Sequence, residues 1–260
     1  MADRITSPSN PRIKSLARLA KRSERDATGL FLIEGERAVL RAIEAGVTIE
    51  QLVVCRELMR GPGAVQPSLP APTIDVGRDA FAKLAYRAHP DGMLAVARQP
   101  DVAIESLALG DAPLVLIAEA LEKPGNLGAI LRAADAAGAA VVAADPATDL
   151  FNPNVVRASQ GALFTVPVAV ASPPSVITWA AGSDIDLYAA SPDATTRLWD
   201  VDLTGATGIV VGSEHRGLSP AWDGVATPVS IPMAGDGDSL NAATAAALLL
   251  YEAVRQRVIA

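Results

Sequence analysis

The chain has 260 residues, half of them apolar, and a mean hydropathy of +0.28, which suits one large domain or two ordinary ones and excludes wholesale disorder. Aromatic residues make up only 4 %, too few for a single-strand stacking platform, and the single cysteine, Cys55, excludes a disulfide framework and a cysteine-built metal site. The net charge of −7 argues on its face against nucleic acid, yet residues 1–25 hold seven basic and two acidic side chains (net +5) and residues 26–260 fifteen and twenty-seven (net −12).

Asn10-Pro11 reads as a helix start, with proline at the first helical position. Ile13, Leu16, Ala17 and Ala20 follow at helical spacing. Lys14, Arg18, Lys21 and Arg25 fall on another face at steps of three and four, with Arg22 beside them, so the positive charge is gathered into a stripe. Such a stripe suits either a nucleic-acid contact or a solvated helix face. Residues 29–33 read as a short buried strand ending at Glu34-Gly35, residues 36–45 as a helix closed by Gly46, and residues 49–55 as a strand. Residues 61–72 are a Pro/Gly-rich loop. Helical residues near 79–86 and a strand at 93–97 complete a compact α/β domain over residues 1–100, followed by a linker at 101–112.

Residues 113–260 form a second domain. The continuous apolar run 114–118 suits a buried parallel strand. A helix at 126–137, a strand at 141–144, further strands at 164–169, 186–190, 208–211 and 229–231, and a last helix at 242–257 follow. Strands alternating with helices predict a parallel α/β sheet. No apolar run approaches a membrane span and the N-terminus has no apolar signal core, so a cytoplasmic setting without membrane is expected.

Neither GxGxxG after a strand nor GxxxxGK[ST] occurs, which argues against a dehydrogenase or a P-loop NTPase. His89 and His215 are the only histidines and lie far apart in sequence, so no metal is expected. Gly237-Asp238-Ser239-Leu240 spells the nucleophile motif of GDSL esterases, but a serine nucleophile needs a histidine base and none follows. Three other segments each place small and polar residues at the end of an expected strand: Glu122 to Gly138, Val210 to Leu218, and Ile231 to Ala242. Ligands bind parallel sheets at that edge. Taken singly, Asn126, Glu214, Ser239 and Asn241 could each be a helix cap or a turn residue; three such loops together point to a site.

These segments resemble, in order, the three signature motifs of the SpoU/TrmH family of RNA 2′-O-methyltransferases: NLGAILRAADAAGA from Asn126, VVGSEHRGLS from Val210 and IPMAGDGDSLNAATA from Ile231. The segment from Val156-Arg157 through Ser159 and Gly161 to Pro167-Val168 resembles a further family segment. Phe31-Leu32-Ile33-Glu34-Gly35 and the segment from His89-Pro90-Asp91-Gly92 to Ala97 resemble the substrate-binding domain that precedes the catalytic one in many members. The resemblance implies a deep trefoil knot in the second domain, S-adenosylmethionine as cofactor, a homodimer, and ribosomal RNA as substrate, with transfer RNA as the alternative. A non-catalytic RNA-binding protein on the same scaffold is the alternative of another class. By position, Gly212, Ile231, Met233 and Leu240 are implied to line the cofactor. Asn126, Arg132, Glu214, Ser239 and Asn241 are implied to form the catalytic site, with Arg132 at the ribose hydroxyl and Glu214 pairing with a cation such as Arg132. The basic residues Arg12, Lys14, Arg18, Lys21, Arg22 and Arg25 then become expected phosphate contacts. The chain departs from the usual pattern in Glu119-Ala120-Leu121-Glu122-Lys123-Pro124, where an acidic residue and Asp-Pro are frequent, and in His215-Arg216, where small residues are frequent.

Overall fold

The structure, a computed structural model, describes residues 4–59, 71–213 and 216–259. The chain forms two compact units: the first runs to Pro100 and includes Phe151–Phe164, and the second takes Asp101–Leu150 and the chain from Thr165 onward.

In the first unit, α1 (Pro11–Arg18), α2 (Arg22–Thr28), β1 (Leu30–Glu34), α3 (Glu36–Glu44), β2 (Ile49–Val54), β3 (Thr73–Asp75), α4 (Arg78–Ala82) and β4 (Met93–Arg98) follow in order. The sheet order is β1-β4-β2-β3, antiparallel except between β2 and β3. Ile13, Leu32, Val53, Phe81 and Leu94 meet in its core. The loop expected at 61–72 lies, over 61–70, outside the described residues.

The single N-terminal helix implied by the basic stripe is two helices. Asn10 caps α1 by accepting the Arg12 N–H at 2.8 Å, but the chain turns at residues 19–21, and Lys21 is extended (φ −90°, ψ 137°). Arg25 explains the break. Its side chain is buried, 1 % exposed, and its guanidinium donates to the carbonyls of Leu19 and Ala20, both at 2.8 Å. A charge taken from water must satisfy its donors internally, so Arg25 braces the turn. It is withdrawn from the phosphate-contacting set.

Glu34-Gly35, singled out in the sequence, is a structural joint. The Glu34 carboxylate is buried and accepts the N–H groups of Tyr86, at 2.7 Å, and Arg87, at 3.2 Å. Burial pushes its carboxyl above the ordinary glutamate range, while those backbone donors and the Arg87 charge pull the other way. Gly35 has φ +104°, and a Cβ there would stand 2.6 Å from the Arg87 guanidinium. The guanidinium ends a flexible side chain and could move aside, but the positive φ is one that residues with a Cβ rarely adopt, so glycine suits the joint.

The second unit holds β5 (Leu114–Glu119), α5 (Pro124–Ala137), β6 (Ala140–Ala144), β7 (Val168–Ala171), α7 (Pro173–Gly182), β8 (Asp186–Ala190), β9 (Thr207–Val211), β10 (Thr227–Val229) and α8 (Ala242–Ile259); a further helix, α6 (Pro153–Ser159), lies in the segment between β6 and β7. Its six strands are all parallel, in the order β10-β8-β9-β5-β6-β7. Every residue of β5, β6 and β9 is buried, which is why these strands read as unbroken apolar runs. The strand expected at 164–169 is displaced to β7, because residues 162–164 form a short helical turn. The strand expected at 229–231 ends at Val229. Residues 101–112 pack in this unit: Ile104 is buried in its core, and the Val102 carbonyl accepts the Val170 N–H at 2.7 Å.

The Phe151–Phe164 segment, which includes α6, packs in the first unit although it lies between strands of the second. The Phe31 ring stands 4.9 Å from Phe151 and 6.2 Å from Phe164, centroid to centroid. The Arg157 guanidinium donates to the Tyr86 carbonyl at 3.2 Å, and Arg41 to the Gln160 carbonyl at 2.8 Å. Among the described residues no helix is long and apolar enough to cross a membrane.

Candidate active site

The C-terminal ends of β8, β9 and β10 open into a cavity of about 270 Å³, close to the lower bound usual for small-molecule sites. Four chain segments build its wall: Ala190–Pro192 after β8, Val211–Ser213 with Gly217 after β9, Val229, Ile231 and Met233 at the end of β10, and Ser239, Leu240, Ala242 and Ala245 leading into α8. None of these side chains carries a charge, and most are small or apolar. Such a wall suits a flat neutral ring that is held by backbone and excludes water. It is the crevice position that parallel α/β sheets offer to ligands.

Gly212 shows how closely the wall is built. A Cβ there would stand 2.2 Å from the Gly217 carbonyl oxygen and 2.6 Å from the Leu218 nitrogen, so the chain doubles back against a bare backbone. The Gly217 N–H donates to the Ser213 carbonyl at 2.9 Å and closes the turn.

The structure brings Gly212, Ile231, Met233 and Leu240 to this one cavity, together with Ser239. Asn126 and Asn241, 115 positions apart, are joined directly: the Asn241 Nδ2 donates to the Asn126 Oδ1 at 3.3 Å. Asn241 also caps α8, its Oδ1 accepting the Ala243 N–H at 3.0 Å. Asn126 is the third residue of α5, which opens at Pro124, and is therefore not its cap. Arg132 lies further along α5, exposed, with no hydrogen bond or ion pair to any described residue. Glu214, expected to pair with such a cation, and His215 lie outside the described residues. His89 belongs to the first unit, so no described histidine shares a unit with Ser239. Among the described residues no group of three or more potential metal ligands is found.

The basic residues of the first unit divide into two kinds. Arg12, Lys14 and Lys21 are exposed and make no ion pair with a described residue. Arg18 pairs with Glu24, its Nε donating at 2.9 Å, and Arg22 with Asp26 at 3.6 Å. The place of Ala190–Pro192 in the cavity wall is beyond sequence reasoning: the strand before it is evident, but nothing in Ala-Ser-Pro marks it as a wall.

The chain is similar to known proteins along nearly its whole length. The SpoU rRNA Methylase family model matches residues 113–251, and an MRM3-like substrate binding domain model matches residues 10–95. A 23S rRNA (uridine(2479)-2′-O)-methyltransferase of Streptomyces viridochromogenes is 35% identical over 99% of this chain and 93% of its own length. The chain belongs to the SpoU rRNA methylase family. A second SpoU relative, the 23S rRNA (guanosine(2553)-2′-O)-methyltransferase RlmP of Bacillus subtilis, is 30% identical over 95% of this chain and 97% of its own length. Among solved structures, the SpoU methyltransferase AviRb from Streptomyces viridochromogenes in complex with the cofactor AdoMet superposes with a TM-score of 0.89 at 33% identity, over 96% of this chain and 98% of that one. The SpoU methylase match spans all four cavity-lining segments as well as Asn126, Arg132 and Asn241.

Proposed function

We propose that this protein is an S-adenosylmethionine-dependent RNA 2′-O-ribose methyltransferase acting on ribosomal RNA. The observation that carries the proposal is the uncharged, backbone-rich cavity at the strand ends of a SpoU methylase domain, with the Asn126–Asn241 pair joining its first and last motifs. S-adenosylmethionine fits the residues present: the bare backbone at Gly212 admits close approach, and Ile231, Met233 and Leu240 supply an apolar wall for adenine. When bound, the cofactor supplies an activated methyl group on a sulfonium centre.

The chain's own task is alignment and proton handling. Arg132 offers a planar fork of donors to developing negative charge and to phosphate. Its role is to stabilise the developing alkoxide at the ribose 2′-oxygen and to grip the neighbouring phosphate, while the proton leaves to that phosphate or to water. Asn126 orients the site through Asn241, Ser239 completes the polar rim, and Glu214 pairs with the cation. Purified protein with S-adenosylmethionine and ribosomal RNA, followed by mapping of 2′-O-methyl sites, tests the proposal. A new ribose methyl on ribosomal RNA is expected; methylation of transfer RNA alone would reassign the substrate, and no transfer to either would overturn it.

RNA contact is assigned to the exposed cations of the first unit, Arg12, Lys14 and Lys21, with Arg18 and Arg22 at its edge. Replacing the first three with glutamine is expected to weaken RNA binding and to flatten the slope of log K against log salt by about 2, at roughly 0.7 per single-strand phosphate contact. An unchanged slope retires the assignment.

The protein is further proposed to be a cytoplasmic homodimer through α8. That helix buries Leu249, Leu250 and Ala253, yet also exposes Leu248, Tyr251 and Val258 at steps of three and seven. Leu248→Asp with Tyr251→Asp is expected to halve the mass seen by analytical ultracentrifugation. A parent that sediments as a monomer contradicts it.

A further inference from the structure

One of the two central strands of the second unit, β5, ends in a carboxylate that the proposed chemistry does not use. Glu119 follows the five apolar residues of β5 and is itself buried, 3 % exposed. The parallel register sets Ala118 beside Val211, so Glu119 stands level with Gly212, where the cavity-lining loop leaves β9. Both carboxylate oxygens are taken by one residue. Oε2 accepts the Ser219 N–H at 2.8 Å, and Oε1 accepts the Ser219 hydroxyl at 2.6 Å.

Ser219 is the far end of that same loop. Its near end is continuous with β9 at Gly212, and Gly212, Ser213 and Gly217 line the cavity. Glu119 therefore ties the loop's far end, where the chain enters a short helical turn at Pro220–Trp222, to the strand beside β9, while β9 itself holds the other end. Burial of a carboxylate is unfavourable unless its lone pairs are met, and hydrogen bonds to an ionised acceptor are about twice as strong as neutral ones. A charged clasp at this depth costs more than an apolar residue would, which points to geometry rather than bulk stability as its purpose.

We propose that Glu119 is a positioning residue, which by clasping Ser219 holds the loop from Gly212 in the shape that binds S-adenosylmethionine. The inference rests on the reading of the cavity as the cofactor site. It adds a residue that touches neither substrate nor cofactor and acts through the loop.

Glu119→Gln keeps the volume but removes the charge: its amide oxygen can still accept the Ser219 N–H and its NH2 can donate to the Ser219 hydroxyl oxygen, so both contacts lose their charge assistance. In calorimetry and steady-state assays, the Kd and KM for S-adenosylmethionine are expected to rise about tenfold, as loss of that charge assistance allows. The kcat at saturating cofactor and the affinity for RNA should stay within about threefold. Ser219→Ala, which keeps the backbone bond, is expected to give a smaller rise, and the double variant no more than Glu119→Gln alone, because one interaction is broken in each case. A merely stabilising role would lower Tm and leave the split between KM and kcat untouched. Unchanged cofactor affinity in folded Glu119→Gln, or full additivity with Ser219→Ala, overturns the clasp. Should Glu119→Gln fail to fold, Ser219→Ala decides alone, and unchanged affinity there also overturns it. A parent chain that binds no S-adenosylmethionine instead overturns the cofactor assignment itself.

Discussion

Arg132→Ala is expected to lower methyl transfer by at least about 10²-fold, the usual loss when one preorganised electrostatic partner of a developing charge is removed, and to leave the affinity for S-adenosylmethionine within a few-fold. The two effects separate because of where the residue lies. Arg132 is exposed on α5, is not part of the cavity wall, and makes no hydrogen bond or ion pair with a described residue. Its removal leaves no described acceptor without its donor, so neither the fold nor the pocket should answer. Arg132→Lys keeps the charge but loses the planar fork and should recover only part of the rate. Single-turnover transfer from labelled cofactor, run beside calorimetric binding, checks both quantities. Joint loss of binding and rate would assign Arg132 a structural role.

Gly212→Ala is expected to weaken binding of S-adenosylmethionine by about a hundredfold, or about 2.7 kcal/mol. The added methyl meets backbone, with the Gly217 oxygen at 2.2 Å, and a peptide cannot rotate aside as a flexible side chain can. The loop must move, and it is the loop that lines the cavity. Gly182→Ala, where a Cβ meets nothing within 4 Å, serves as the control and should bind as the parent does. Equal affinities for Gly212→Ala and the parent would show that the close approach has no part in binding.

Much of this molecule is legible in its amino-acid order. The buried strands of the second unit announce themselves as unbroken apolar runs, since both their faces are covered, and the polar residues gathered at their ends mark the site. What stays hidden does so for physical reasons. Asn10-Pro11 signals a helix start because an apolar period follows it, whereas Asn152-Pro153 opens α6, only seven residues long, and Ser172-Pro173 opens α7, a helix with little polar–apolar contrast. β3 is three residues long, too short for any period to show. The N-terminal stripe misleads because spacing alone cannot tell a solvated arginine from one that turns inward to brace carbonyls, as Arg25 does. The Asn126–Asn241 pair and the Glu119–Ser219 clasp link positions about a hundred residues apart, and no local pattern encodes such a contact.

The phenylalanines at 151 and 164 bear on how this chain can be re-engineered. They complete the packing around Phe31, yet they are encoded in the middle of the methylase half. A fragment cut at residue 100 would leave the Phe31 ring without these neighbours and display an oily scar where they belong. Grafting the first unit onto another methylase would accordingly require transplanting two separate stretches of gene, and a recipient that keeps its own residues at the second stretch should yield an insoluble hybrid. Modularity here belongs to the packed molecule and not to the linear order of its codons.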